Sequence, residues 1–360
     1  MIEREHDEVL RRVADSLERL PYTTWNFGDS IAFEGLIAAG DALGTDRYLA
    51  FARGLIRGWA TRRHPFVRLD CTAPGRAMVE VHRRTGDPLV LEAALELAAY
   101  LCRRPRLGGV FATWERSPLQ HPWGPDQLTS GEVALLADPP AGVFVDCLHF
   151  DPPFFAALGR TTGDDSLLDE ATAQAAGYIR LLQRDDGLFE HFVLDGAPTT
   201  YGPGWGRGQG WALLGLLDVI VELADGDDRR PDLARAATRL IIAMQAAQRD
   251  DGHWDAVVGD PSSGDESSTT AFMADGFGRA VELGLVAGVD GERVLADARR
   301  ALLAAVAATD RSGHLASVSA AVNACTTASH YAHVPRGFVV PWGQGPLALA
   351  LATHRRSASS

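Results

Sequence analysis

One short element, a glycine followed within two residues by an aspartate, recurs between long apolar stretches and limits the possible folds more than any other feature. Glycine readily adopts the left-handed conformation that ends a helix, and an aspartate can accept hydrogen bonds from the first N–H groups of the next helix. Each copy therefore predicts a joint between two paired helices. The copies are Leu43-Gly44-Thr45-Asp46, Thr85-Gly86-Asp87, Thr162-Gly163-Asp164, Asp225-Gly226-Asp227 and Ala287-Gly288-Val289-Asp290.

A second element recurs between the pairs. Gln183-Arg184-Asp185-Asp186-Gly187 returns as Gln248-Arg249-Asp250-Asp251-Gly252 and, more loosely, as Thr309-Asp310-Arg311-Ser312-Gly313. A repeated helical pair cannot bury its apolar face alone, so such units stack into a solenoid or close into a ring. Few segments alternate as strands do, and the periodicity predicts twelve helices. They lie near residues 3–20, 28–43, 46–62, 73–85, 88–103, 147–162, 165–183, 206–224, 231–249, 266–284, 290–308 and 343–353.

The composition of the helices favours a closed ring. The first helix of most pairs, such as the segments 30–39 and 345–352, is apolar on nearly all sides, which is typical of a helix buried on all sides. The second helices, such as 290–308, are amphipathic and rich in Arg. An inner ring of six helices inside an outer ring of six satisfies both patterns. We therefore predict an all-α protein, an (α/α)6 toroid, with residues 1–360 as a single domain.

Charge and cysteine usage exclude several classes of protein. With 34 basic and 47 acidic residues the chain has a formal net charge of −13, so it has no general attraction to nucleic acid or to an anionic membrane. It has no apolar run of membrane-spanning length, and its charged N-terminal segment does not resemble a secretory signal. The four cysteines are scattered and show no CxxC spacing, so we expect reduced, buried thiols in a cytoplasmic protein. The sequence gives no sign of a metal, a cofactor or an oligomeric state.

Two aspartates enter predicted inner helices at matching places. Asp70 lies in Arg68-Leu69-Asp70-Cys71, and Asp146 lies in Phe144-Val145-Asp146-Cys147. In a toroid, loops that lead into inner helices gather at one end, around the axis. Each aspartate could simply cap its helix. Two carboxylates in one pocket would repel each other, so that one could hold a proton and act as a general acid beside its ionised partner.

Further candidates enter the same end of the predicted ring. The element Tyr201-Gly-Pro-Gly-Trp205-Gly-Arg207-Gly-Gln-Gly-Trp211 suits a sugar ring that carries a carboxylate, because apolar ring faces stack on indole and guanidinium binds a carboxylate through two hydrogen bonds. The alternative is that these are core tryptophans, with Arg207 bonded to loop carbonyls. His191 is either functional or a structural loop histidine. His330, Tyr331 and His333 could reach the same pocket, and the segment 262–270 is interpreted as a polar loop and helix cap.

Motifs of zinc peptidases, α/β-hydrolases, kinases and P-loop proteins are absent. Instead, three elements in order resemble the unsaturated uronyl hydrolases, a family that includes unsaturated rhamnogalacturonyl and glucuronyl hydrolases. They are Leu-Asp70-x-x-x-Pro-Gly-Arg, Val-Asp146-x-Leu and Trp205-Gly-Arg207-Gly-Gln-Gly-Trp211, and the likeness extends over nearly the whole chain. The resemblance implies an (α/α)6 fold.

The resemblance also implies a reaction. The substrate would be a lyase-generated oligosaccharide with a 4,5-unsaturated uronic acid at its non-reducing end. An aspartic acid protonates C4, and the resulting carboxylate takes a proton from the water that attacks C5. By motif, Asp146 matches this acid and base, and Asp70 matches the second carboxylate. His191, Trp205, Arg207 and Trp211 match substrate-contacting positions, and Trp25 matches an aromatic residue near the pocket.

The resemblance leaves some points open. The segment 110–142 departs from the family pattern, which leaves the neighbouring sugar undetermined. One alternative is a glycosidase that acts on saturated uronides. A sugar epimerase is disfavoured, because it would need axial histidines as its acid and base. Another alternative, from a different class, is a carbohydrate-binding toroid without catalysis.

Overall fold

The computed structural model describes residues 2–22, 27–62, 74–113, 119–202, 204–286 and 290–359. These residues contain fourteen helices and four short strands. The helices are α1 (Ile2–Glu18), α2 (Asp29–Leu43), α3 (Arg47–Ala60), α4 (Gly75–Thr85), α5 (Pro88–Cys102), α6 (Ser130–Ala137), α7 (Cys147–Thr162), α8 (Asp165–Leu182), α9 (Gly206–Ile220), α10 (Arg230–Ala246), α11 (Ser267–Glu282), α12 (Gly291–Ala307), α13 (Ala328–Ala332) and α14 (Pro341–Ser359). All twelve predicted helices are present.

Six helices form a closed inner ring. In the order α2, α4, α7, α9, α11 and α14, each contacts the next, and α14 contacts α2. These inner helices are buried as their apolar composition predicts: every residue of α9 is buried, and α2 and α7 are buried over most of their length. The helices α1, α3, α5, α8, α10 and α12 lie outside, and each presents an apolar stripe to the ring. The prediction of an all-α toroid is confirmed.

The predicted joints hold for glycine and only partly for aspartate. Gly44, Gly86 and Gly163 adopt left-handed conformations, with φ of 65°, 66° and 72°. Asp164 and Asp290 cap α8 and α12 through their side chains. The carboxylates of the other described joints do not cap their helices. Asp87, for example, is buried and binds Arg53 and Arg57 instead, because two guanidiniums satisfy a buried carboxylate better than N–H groups alone.

The second repeated element closes the ring. Gly187 and Gly252 each pack against the main chain of the next outer helix, at Arg239 in α10 and at Arg300 in α12. Gly313 packs in the same way against Arg12 in α1, so the third copy joins the end of the chain to its beginning. Any side chain at these positions would overlap that backbone.

Two small two-stranded sheets are additions that the periodicity did not predict. Strands β1 (Arg106–Leu107) and β2 (Val110–Phe111) form an antiparallel hairpin, and β3 (Gly142–Phe144) pairs antiparallel with β4 (Phe192–Leu194), beyond α7 and α8. In the second sheet Phe144 lies opposite Phe192, and their rings stack with centroids 4.7 Å apart. This sheet joins the loop that enters α7 to the loop that carries His191.

The cysteines differ from expectation. Cys147 is disulfide-bonded, which contradicts the prediction of four reduced thiols. Cys102 and Cys325 are free, and Cys71 lies outside the described residues. Because disulfides are rare in reducing compartments, the expectation of a cytoplasmic protein loses the support that it drew from the cysteines. Among the helices that the structure describes, none is long and apolar enough to cross a membrane.

Candidate active site

Asp146 lies where the chain passes from β3 into α7, and its side chain is 17% exposed. It occupies the N-cap position, but its carboxylate makes no capping hydrogen bond. Its Oδ2 lies 3.4 Å from Nε2 of His191. The alternative that Asp146 merely caps its helix therefore lacks the bond that it requires. The carboxylate is free to meet a ligand. Asp70 and Trp25, the other predicted residues of this pocket, lie outside the described residues.

His191 is fixed on three sides. Its main-chain carbonyl accepts a hydrogen bond from Val145 N, 2.8 Å away, and its own N–H donates to Tyr201 O at 2.8 Å. Its Nδ1 lies 2.6 Å from the hydroxyl oxygen of Tyr331. The ring packs on Trp205, with centroids 4.3 Å apart. The side chain is only 3% exposed, so this histidine lies behind Asp146 rather than on the pocket surface.

Arg207 is buried beneath the same aromatic residues. Its Nη1 donates to Ser319 Oγ at 2.7 Å and its Nη2 donates to Ala320 O at 2.9 Å. Its guanidinium carbon lies 5.0 Å from the centre of the Trp205 ring, a cation–π arrangement. Burial lowers the pKa of Arg207, against the opposing attraction of Glu266 and Asp146. The guanidinium therefore bonds to loop groups, which is the contact pattern of the alternative interpretation.

Glu266 is a residue that the sequence reasoning missed. It caps α11 through Ser268 N, and its Oε2 lies 3.6 Å from Arg207 Nη1. Both side chains are 1% exposed, so the acid neutralises a buried cation. Its place just before an inner helix, as for Asp146, is the sequence signal that could have identified it.

Trp211 lies deeper in the ring than the other residues of its motif. Its ring is fully buried and contacts His149, Phe150 and Phe272, with centroids 5.2, 5.1 and 4.7 Å away. One helical turn separates it from Arg207. The structure therefore brings together Asp146, His191, Trp205, Arg207 and Tyr331, called here the Asp146 group, and places Trp211 below it.

Below Trp211 the inner helices enclose a second set of charges, called here the axial cluster: Glu34, Arg76, His149, Asp218, Asp275 and Arg279. Donor atoms of Glu34, His149 and Asp218 all lie within 4.8 Å of one another, a spacing that could suit a metal ion. However, Arg76 is 3.1 Å from Glu34 Oε2 and 3.2 Å from Asp218 Oδ1, and Arg279 also binds Asp218. Two guanidiniums already neutralise these carboxylates, so the donor set does not favour a further cation.

Attraction dominates over burial at two of these acids. Burial raises the pKa of Glu34, but His149 and Arg76 outweigh it and the net pKa is lowered. At Asp218 burial likewise raises the pKa, and Arg279, Arg76 and His149 lower it below its ordinary value. At Asp275 burial prevails over Arg279 and the pKa is raised. The axial cluster thus holds two ionised carboxylates and one that retains its proton more readily.

Comparison with known proteins identifies relatives over the full length. The profile of Glycosyl Hydrolase Family 88 matches residues 1–358. The chain is 23% identical over 328 residues to the unsaturated rhamnogalacturonyl hydrolase YesR of Bacillus subtilis (strain 168), with 89% of this chain and 87% of that protein covered.

Solved structures share the fold. A possible member of the GH105 family from Salmonella enterica superposes with a TM-score of 0.83 at 19% identity, with 99% of this chain and 95% of that chain covered. The unsaturated glucuronyl hydrolase of Bacillus sp. GL1 gives a TM-score of 0.72 at 19% identity, with 99% and 97% covered.

Proposed function

This chain belongs to Glycosyl Hydrolase Family 88, and we propose that it removes a 4,5-unsaturated uronic acid from the non-reducing end of oligosaccharides that polysaccharide lyases release. The family makes it a glycoside hydrolase. The substrate class rests on the motifs around Asp146 and on the activities named for the relatives from Bacillus subtilis and Bacillus sp. GL1.

The proposed reaction begins at the double bond. The unsaturated ring is an enol ether conjugated to a carboxylate, so C4 accepts a proton and C5 gains oxocarbenium character. Asp146 gives its proton to C4, and water then adds to C5 while the Asp146 carboxylate takes a proton from it. The hydrated product is a hemiketal that opens and expels the neighbouring sugar. One carboxyl group therefore acts first as acid and then as base, and it ends the cycle protonated.

The main observation that supports the proposal is the position of the Asp146 carboxylate and its lack of a capping bond. It is a partly exposed carboxylate at the entrance of an inner helix, it makes no capping bond, and a buried imidazole stands 3.4 Å away. A structural carboxylate at such a position either caps its helix, as Asp164 does, or pairs with arginines, as Asp87 does, and Asp146 does neither in the described part of the chain. The second carboxylate of the proposal is Asp70, which rests on its motif alone.

The proposed substrate-binding residues are Trp25, His191, Trp205, Arg207 and Trp211. Since the N–H groups of Arg207 already bind Ser319 and Ala320, we propose that its charge attracts the uronate carboxylate through the field around Trp205. Trp211 would support this layer from below. We also keep the proposal of one domain, which is supported by a hydrophobic core that runs from α1 to α14.

The test uses the protein and its Asp146→Asn variant with lyase-generated unsaturated disaccharides. Hydration destroys the conjugated double bond, so its ultraviolet absorbance falls with turnover. We expect the absorbance to fall with wild type, and the rate of this fall to be about 10²–10⁴-fold lower with the variant. Circular dichroism of both proteins checks that the variant folds.

Two outcomes would contradict the proposal. Release of sugar from saturated uronides, with unsaturated ones untouched, would identify an ordinary glycosidase. Equal binding of oligosaccharide by both proteins, without turnover by either, would identify a carbohydrate-binding protein.

A further inference from the structure

We propose that Tyr331 is a positioning residue that fixes His191 in the tautomer with its Nε2 lone pair towards Asp146, so that Asp146 keeps the proton that it gives to the substrate. This inference rests on the proposed function of Asp146. It changes the part played by His191, from a group that touches the sugar to one that acts through the acid.

The hydrogen bonds of Tyr331 determine the tautomer. Its hydroxyl donates to Cys325 O at 2.9 Å. A phenol has one hydrogen to donate, so towards His191 Nδ1, 2.6 Å away, the same oxygen must accept. Nδ1 therefore carries the hydrogen, and in the neutral imidazole Nε2 carries the lone pair. Burial raises the pKa of Tyr331 well above its ordinary value, with Cys325 and Asp146 adding to the effect, so the hydroxyl keeps its hydrogen.

The tautomer matters because Nε2 faces the acid. With its lone pair on Nε2, 3.4 Å from Asp146 Oδ2, His191 offers the carboxylate no hydrogen, and any proton that the two groups share stays within the pair. The opposite tautomer would place an N–H there, which donates to a carboxylate and favours its ionised form. A general acid must reach the substrate protonated. Tyr331 thus prevents His191 from favouring loss of that proton.

The packing around Tyr331 and His191 holds the two side chains in this arrangement. Tyr331 and His191 are both buried, and the Tyr331 ring stacks on Trp205 with centroids 6.1 Å apart. Gly202 lies against the pair with φ of 80°, and a side chain there would overlap the Tyr331 hydroxyl and His191 Cβ. Among the described residues, Cys325, Asp146 and Glu190 act on Tyr331, and Glu266, Asp146 and Cys325 act on the neighbouring Arg207.

The first measurement needs no substrate. Nitrogen-15 spectra of histidine side chains separate the two neutral tautomers, and comparison with His191→Gln assigns the His191 signals among the 11 histidines. We expect wild-type His191 to carry its hydrogen on Nδ1, and Tyr331→Phe to shift it to Nε2. A wild-type hydrogen on Nε2, or an unchanged tautomer in the variant, would overturn the inference.

The second measurement is kinetic. Tyr331→Phe should lower kcat about tenfold at neutral pH, leave KM unchanged, and move the alkaline limb of the pH–rate profile to lower pH. Tyr48→Phe is the matched control: Tyr48 is also buried and donates to Asp15 at 3.0 Å, but it lies in the outer layer. It should lose one hydrogen bond and keep the wild-type profile.

The outcomes of the two proposals are distinguishable. A raised KM with unchanged kcat in Tyr331→Phe would make this pair a substrate contact and refute the inference. If wild type does not consume unsaturated uronides, the proposed function fails, and the tautomer measurement then decides about Tyr331 by itself.

Discussion

His191 and His149 are both buried histidines beside carboxylates, yet their surroundings differ. His191 has a defined partner on Nδ1, the Tyr331 hydroxyl, and its other nitrogen faces a partly exposed acid. His149 lies 3.4 Å from Glu34 Oε2 and 3.7 Å from Asp218 Oδ2, and neither of its ring nitrogens forms a hydrogen bond of good geometry within the described residues. The first histidine is oriented by hydrogen bonds, and the second is held by packing and charge.

The difference separates the end of the ring that holds the proposed acid from a centre in which buried charges are paired. Every inner helix supplies a polar group to the axial cluster or its border, including Thr353 of α14, which donates to Asp275 Oδ1 at 2.6 Å. The titratable groups of the axial cluster come from five of these helices, and its three carboxylates are shielded from solvent. The Asp146 group instead keeps one carboxylate open. We expect substitutions at the centre to affect stability and substitutions at the open end to affect turnover.

The largest effect should come from Asp218→Asn. Asp218 binds Arg279 and Arg76, so its neutralisation leaves two buried guanidiniums with too little negative charge. We expect a loss of about 3–5 kcal/mol in the free energy of unfolding, measured by urea denaturation. Asp232→Asn is the matched control, because Asp232 is exposed and pairs only with Arg235 on the surface. Equal stability of the two variants would show that the axial cluster does not hold the ring together.

The architecture was predictable because it depends on the spacing of apolar residues within each helix. Apolar faces at helical spacing predicted all twelve long helices, and segments that are apolar on nearly all sides, such as 30–39 in α2 and 345–352 in α14, identified the inner ring. The short helices α6 and α13 and the two small sheets have too few residues to show a period. They form because neighbouring segments supply partners, as when β4 pairs with β3 about fifty residues earlier.

The site was predictable only in part. A motif gives the order of residues along the chain, but not how deeply each side chain is buried or what it contacts. Asp146 and Trp205 lie at the entrances of inner helices on either side of His191, but Arg207 faces Ser319 and Ala320, and Trp211 packs against His149. The contacts of Arg207 come from a loop more than a hundred residues later. No local pattern shows such a contact. Tyr331 was a candidate by position, but its bond to His191 needed coordinates.

The direct test of the comparison exchanges the same residue in both regions. His191→Gln should lower kcat about 100-fold, because it removes the imidazole lone pair that faces Asp146, while the urea midpoint changes little. His149→Gln should do the reverse: it should keep kcat per folded molecule and lower stability by about 1–3 kcal/mol. Initial rates and urea titrations on both variants check this. A similar loss of kcat in both would mean that the two regions act as one.

A smaller effect should appear at low pH. Because the pKa values of Glu34 and Asp218 are lowered on folding, their ionisation stabilises the protein above the unfolded values of 4.5 and 3.8. That stability is lost as pH falls through the lower folded values. Glu34→Gln removes one of these two titrating carboxyl groups. The unfolding free energy of the variant should therefore depend less on pH than that of wild type below about pH 4.5. Parallel curves for the two proteins would assign the acid dependence to other carboxylates.

The smallest effect should come from Asp275→Asn, in the same cluster as Asp218. Burial raises the pKa of Asp275, so ionisation of this carboxyl destabilises the folded protein. The stability that the protonated carboxyl contributes is fully present below its unfolded pKa of 3.8 and is lost as pH rises through the higher folded pKa. An asparagine keeps an oxygen for Thr353 and does not ionise. We expect a loss of about 1 kcal/mol or less near pH 4, shrinking towards pH 8, measured by urea denaturation. A loss that grows with pH would show instead that the cluster needs the Asp275 charge to balance Arg279.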